Sequence, residues 1–175
     1  MDMDAPSSRK PNVVFVFPDQ LRRCATGFGG ESNIATPVLD RLAGESLDFT
    51  NAISGMPVCC PARATLMTGL YAHHHGVLVN DVHLDDGFPK LAEQFVGAGY
   101  DTAYIGKWHL NGRGRKAYIP PENRCGFQYW KALECTHDYN DSAYYAGDDP
   151  TQRTWEGYDA FAQTDDAIDY LRSRE

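Results

Sequence analysis

The stretch Val58-Cys59-Cys60-Pro61-Ala62-Arg63-Ala64-Thr65-Leu66-Met67-Thr68-Gly69 reads as the opening of a helix. Pro61 suits the first helical position, where its missing N–H costs nothing. Gly69 is a natural stop, because glycine takes positive φ after a last turn without penalty. Cys59 then falls at or just before the N-cap. Arg63 follows four residues later, so the two side chains can share a face. Helix N-termini carry unpaired N–H groups and partial positive charge. A cysteine there, beside an arginine, is placed for anionic chemistry.

Upstream, Val13-Val14-Phe15-Val16-Phe17 is apolar on both faces, as a central buried parallel strand would be. It stops at Pro18-Asp19-Gln20. Ligands gather at the carboxyl ends of strands in open α/β sheets, so Asp19 is placed to face a cation, or to cap a turn. Cys24 reads as packing. Thr36 to Ala43 reads as a capped helix with Pro37 at its start. Downstream of Gly69, His73-His74-His75 invites a metal reading. Adjacent residues point in different directions, however, and a surface turn is the expectation. Phe88, Leu91, Ala92, Phe95 and Val96 repeat at helical spacing, and Tyr100 to Ile105 reads as the next strand. Strand, helix, strand is the grammar of a parallel sheet. The strand runs into Gly106-Lys107-Trp108-His109-Leu110. If extended, it sends Lys107 and His109 to one side and Trp108 to the other.

Three of these segments carry a family resemblance. Cys59-x-Pro61-x-Arg63, continued by Ala64-x-Leu66-x-Thr68-Gly69, resembles the signature of the type I sulfatases of the alkaline-phosphatase-like superfamily. Gly106-Lys107-Trp108-His109-Leu110 resembles a second sulfatase motif, in the right order. The strand ending at Asp19-Gln20 resembles the family's first metal-binding pair, with glutamine where a second aspartate usually stands.

The resemblance implies an α/β fold: the N-terminal part of an alkaline-phosphatase-like three-layer sandwich with a mostly parallel central sheet. It implies a sulfuric ester hydrolase whose Cys59 is oxidised to formylglycine by a formylglycine-generating enzyme that reads the same peptide. Hydrated, that residue presents two hydroxyls on one carbon. One attacks sulfur, and the other loses its proton and expels sulfate. Carried over residue by residue, the catalytic set is Cys59, Arg63, Lys107 and His109. Asp19 and residue 59 bind Ca2+ or another divalent cation, as an oxygen-rich site favours. Arg63 steadies the diol, Lys107 bridges the diol and a sulfate oxygen, and His109 accepts the diol proton. The substrate implied is a small-molecule or carbohydrate sulfate ester. Gln20 keeps open a phosphonate or phosphodiester hydrolase of the same superfamily. A catalytically incomplete sulfatase fragment is the other alternative.

Composition sets outer limits. A chain of 175 residues with 42% hydrophobic content is that of a globular domain. A formal charge of −8 argues against a nucleic-acid surface. No run reaches the roughly 18 apolar residues of a membrane span. Cys24, Cys59, Cys60, Cys125 and Cys135 suit neither a disulfide framework nor a four-cysteine zinc site. Together with a polar start, they lead to a cytoplasmic expectation. Residues 1–10 read as a loose tail and 11–175 as the N-terminal part of a sulfatase catalytic domain. Residues 111–155 read as irregular and rich in aromatics, with Cys135 to Asn140 either lining a pocket or packing. Trp155 to Leu171 marks a last amphipathic helix. In a βαβ pattern it should feed a further strand, so the reading expects a truncated chain.

Overall fold

A computed structural model describes residues 10–174, so the tail expected over residues 1–10 lies, Lys10 excepted, outside the described residues. Contacts along the chain divide it into two units, the first ending at Thr50 and the second starting at Asn51.

In the first unit, helix α1 spans Pro37–Gly44 with Thr36 as N-cap. The Thr36 hydroxyl does not cap its own helix. It accepts the Gly27 N–H at 2.8 Å and donates to Asp40 Oδ1 at 2.7 Å. Asp40 in turn accepts the Phe28 N–H at 2.8 Å, so one small network folds the 27–29 turn against α1. Residues 13–17 differ from expectation. They carry no strand assignment, and Val13, Val14, Phe15 and Val16 are exposed. A strand exists only through a ladder partner, and none pairs with this run among the described residues. Cys24 is likewise exposed rather than packed.

In the second unit, helix α2 spans Cys59–Thr68, with Val58 as N-cap. It starts two residues earlier than Pro61 alone indicates, and it stops where expected. Gly69 takes φ 71°, and its N–H returns to Thr65 O. Cys60, Arg63, Ala64 and Met67 are buried, the i, i+3, i+4, i+7 pattern of a core-facing stripe. A short helix α3, Ala72–His75, ends on Gly76. His73 and His74 lie on the surface, but His75 is buried and joins Thr65 Oγ1 through Nε2 at 3.1 Å. The surface-turn expectation therefore fails at this residue, which locks α3 to α2. Helix α4 spans Leu91–Gly97 and leads into strand β1, Ala103–Lys107.

The stretch read as irregular holds three more strands: β2 (Tyr129–Leu133), β3 (Ala143–Ala146) and β4 (Arg153–Thr154). The sheet order is β1-β2-β3-β4. β1 and β2 are parallel, with Ala103 opposite Tyr129 and Lys107 opposite Leu133; β3 and β4 add antiparallel. The sheet of the described residues is thus mixed, and the mostly parallel pairing expected of it is confined to β1–β2. Helix α5, Asp159–Arg172, closes the described chain. It is tied to β2 by Asp166, which accepts from Lys131 Nζ and Tyr129 Oη. None of its residues is buried.

The core lies between α2 and β1–β2. Trp108 and Trp130 are almost fully enclosed, and their rings meet edge to face at 5.1 Å; Tyr104 packs on Trp108 at 5.0 Å. Such pairs contribute about 1 kcal/mol each beyond the area they bury. Their burial anchors the segment that follows β1, and with it the candidate site.

Candidate active site

Four of the residues singled out in the sequence come from two elements of the second unit. Cys59 and Arg63 sit on the first turns of α2. Lys107 ends β1, and His109 lies two residues beyond. The structure brings Lys107 Nζ to 3.6 Å from Cys59 Sγ. Arg63 Nη1 donates to Tyr104 Oη at 3.1 Å and to the Lys107 carbonyl at 2.5 Å, and Tyr104 Oη donates to that same carbonyl. The buried guanidinium therefore holds the strand end from which Lys107 reaches Cys59.

The two adjacent cysteines have separate roles. Cys60 is buried, its thiol pKa is raised by burial, and its Sγ accepts the Asp81 N–H at 3.2 Å. Cys59 is only partly covered. The Cys60 N–H is taken by Asn80 Oδ1 at 2.9 Å. Val58 offers no side-chain cap, so a residue from a distant loop satisfies this helix-start donor instead.

His109 is not placed by strand alternation. β1 stops at Lys107, and His109 takes φ 61°, in the left-handed region. For a non-glycine residue this conformation costs on the order of 1 kcal/mol or more and needs outside support. Glu134 supplies it. This carboxylate, 2% exposed, accepts the N–H groups of Leu110 at 2.9 Å, Asn111 at 2.6 Å and Gly112 at 2.9 Å. Gly112 has φ 64°, and a Cβ there would stand 2.3 Å from the His83 nitrogen, so only glycine fits. Burial pushes the Glu134 pKa up, against the opposing pull of these N–H groups.

The His109 ring is 3% exposed, and its Nε2 meets Asp81 Oδ1 at 2.9 Å. Asp81 also receives Arg115 Nε at 3.1 Å and Nη2 at 2.9 Å. Those partners, Arg115 first, hold the Asp81 pKa down at about 2. Burial lowers the His109 pKa, and Lys107 and Arg63 add to that; the Asp81 hydrogen bond opposes it. The ring is therefore neutral at pH 7, as a proton acceptor must be. His75, also buried, is lowered for the same first reason. Neither histidine takes up a proton readily in the fold, whereas the unfolded chain protonates them near the ordinary value of 6.5. Stability is then fully present above about pH 6.5 and falls as pH drops below it. A melting-temperature series from pH 7.5 to pH 5 is expected to decline, and a flat profile would refute the buried neutral histidines.

Asp81, Arg115, Asn80 and Glu134 had no motif to mark them. Asn80-Asp81 after an apolar run looks like any turn, and Glu134 looks like surface. Asp19 lies exposed in the first unit, followed by Gln20 at φ 49°. Among the described residues, no three His, Cys, Asp or Glu side chains gather as a metal shell.

Comparison with known proteins settles the class. The Sulfatase family model matches residues 11–175, and the chain belongs to that family. The ulvan-active sulfatase of Formosa agariphila is 50% identical over 94% of this chain and 32% of its own length. The N-acetylglucosamine-6-O-sulfatase of Bacteroides thetaiotaomicron is 33% identical over 96% of this chain and 28% of its own. The crystal structure of the YidJ protein of Bacteroides fragilis, described there as a sulfatase, superposes with TM-score 0.88 at 31% identity. It covers 99% of this chain and 43% of the other. A structure of BT4656, solved with its substrate D-glucosamine-2-N,6-O-disulfate, superposes with TM-score 0.80 at 30% identity over 95% of this chain and 32% of that one. The fold is thus the alkaline-phosphatase-like one expected, in its N-terminal portion. The chain spans about a third of the length of the curated relatives it matches.

Proposed function

We propose that the protein hydrolyses a sulfate ester on a carbohydrate, giving the alcohol and inorganic sulfate, with residue 59 as nucleophile after conversion of its thiol to formylglycine. The observation that carries this reading is the 3.6 Å approach of Lys107 Nζ to Cys59 Sγ at the start of α2, braced by Arg63 through the Lys107 carbonyl. The relatives named above are called sulfatases of sulfated sugars and of ulvan, which supports the substrate class.

An aldehyde hydrate at position 59 supplies two hydroxyls on one carbon, and a hard divalent cation makes a bound hydroxyl more acidic. Residue 59 would offer such an ion one oxygen. Calcium takes six to eight oxygens, more than this residue alone provides. The roles of the remaining residues are those the resemblance implies, and the contacts of Lys107 and Arg63 support them. The Lys107 ammonium lies where negative charge on an equatorial sulfate oxygen needs neutralising. Arg63 orients Lys107. His109, neutral and enclosed, accepts the proton released when sulfate departs. A formylglycine-generating enzyme is the partner this scheme needs.

Mass analysis of the peptide containing residue 59, on enzyme that turns over substrate, tests the scheme. Formylglycine is lighter than cysteine, and an unmodified mass in active enzyme would refute it. The same preparation assayed on paired sulfate and phosphate esters decides between sulfatase and the phosphodiester or phosphonate alternative that Gln20 raises.

A further inference from the structure

We propose that Asp81 and Arg115 are positioning residues: Asp81 holds His109 by Nε2–H, so that Nδ1 bears the lone pair that takes the proton, and Arg115 fixes Asp81 by a two-point contact. The inference rests on the proposed function for its catalytic consequence, but not for the tautomer itself.

The chemistry is one of elimination. Asp81, with its pKa near 2, is ionised at any working pH and can only accept hydrogen bonds. The 2.9 Å contact to His109 Nε2 therefore requires the proton on that nitrogen. In a neutral ring Nδ1 is then the acceptor. In this structure Nδ1 is buried and makes no hydrogen bond among the described residues. A buried lone pair without a partner is costly in a structural histidine and useful in a general base. His75 shows the contrast: both its ring nitrogens are engaged, Nε2 with Thr65 and Nδ1 as acceptor of the Val77 N–H at 3.2 Å.

The groups around His109 have separate tasks. Lys107 and Arg63 disfavour its protonated form, Asp81 favours it, and Glu134 takes its backbone N–H. Asp81 is 46% exposed and Arg115 51%, so their ion pair alone contributes little to folding. Its geometry, two guanidinium nitrogens on two carboxylate oxygens, is suited to orientation. Asp81 also takes φ 63°, so both ends of the Asp81–His109 bond sit in left-handed backbone. Such conformations cluster where geometry is held for function.

The experiment uses the complete, formylglycine-bearing protein. Asp81→Ala is expected to lower kcat by about 10- to 100-fold, with KM changed less than about threefold. Arg115→Ala should give a smaller loss of the same kind, about 3- to 10-fold, and Arg115→Lys should recover part of it. Nitrogen-15 spectra of the histidine rings should show His109 as the Nε2–H tautomer in the parent and a mixture in Asp81→Ala. An Nδ1–H tautomer in the parent overturns the inference whatever the kinetics. So does an unchanged kcat in Asp81→Ala when the parent is active, and that result leaves the proposed function intact. A raised KM at constant kcat in Arg115→Ala would make Arg115 a substrate contact and overturn its positioning role. A parent inactive on both ester classes counts against the proposed function alone, since the ring spectra still decide the tautomer.

Discussion

Cys59→Ala is expected to remove turnover altogether, with kcat reduced by about 10⁴-fold or more, the scale of losing a nucleophile. The fold should survive the change. Cys59 is only partly covered, its neighbour Cys60 supplies the core contact, and Asn80 still takes the Cys60 N–H. A variant with parent-like melting and no activity is therefore the expected pair of results. Cys59→Ser sharpens the test. A serine hydroxyl can attack, but it leaves a carbon with no second hydroxyl from which sulfate can be expelled. It should fail at turnover although a hydroxyl is present. Appreciable steady-state activity in Cys59→Ala would remove residue 59 from the nucleophile role, and in Cys59→Ser it would remove the need for a second hydroxyl.

Glu134→Ala is expected to produce the largest loss of stability of any single change near the site, about 3–5 kcal/mol. The side chain accepts three backbone N–H groups from residues 110–112, and truncation leaves those of Leu110 and Asn111 buried without a partner. Each such orphan costs roughly 1–3 kcal/mol, and because they share one loop the costs overlap rather than add. Glu134→Gln keeps one acceptor oxygen and should lose about half as much. Urea unfolding reads both variants: the midpoint should fall with little change in slope. The loop begins at His109, so activity in Glu134→Ala should fall further than the folded fraction does. A midpoint within error of the parent would show that the loop holds itself.

These two residues illustrate how unevenly the molecule could be read. Cys59 was legible because its neighbours form a contiguous signal: Pro61 near a helix start, Arg63 one turn on, Gly69 at the stop. Lys107 and His109 were legible because Gly106-Lys107-Trp108-His109-Leu110 resembles a second sulfatase motif, although the alternation argument for their shared direction did not apply beyond Lys107. Glu134 was not legible. It follows Leu133 at the end of β2, a strand hidden in a stretch whose glycines and prolines read as loop. Tyr129, Trp130, Tyr144 and Tyr145 carry a real strand propensity there. Their pairing depends on β1 and on each other, however, and propensity does not report partners. The converse error, at Val13 to Phe17, has the same origin. A run apolar on both faces says that it needs a partner, not that one is at hand.

The residues by themselves determined the chemical inventory and its local presentation: a thiol and guanidinium one helical turn apart, an ammonium and imidazole past a strand, and a glycine stop on α2. Short-range sterics and hydrogen bonding set these, and they act within a few positions. Only the tertiary structure decided that Lys107 reaches Cys59 across 48 positions of chain, that Asp81 meets His109 across 28, and that Arg115 meets Asp81 across 34. It also decided which imidazole nitrogen meets Asp81. Such partners are chosen by where loops end up once the tryptophan core has closed, and no periodicity along the chain records that.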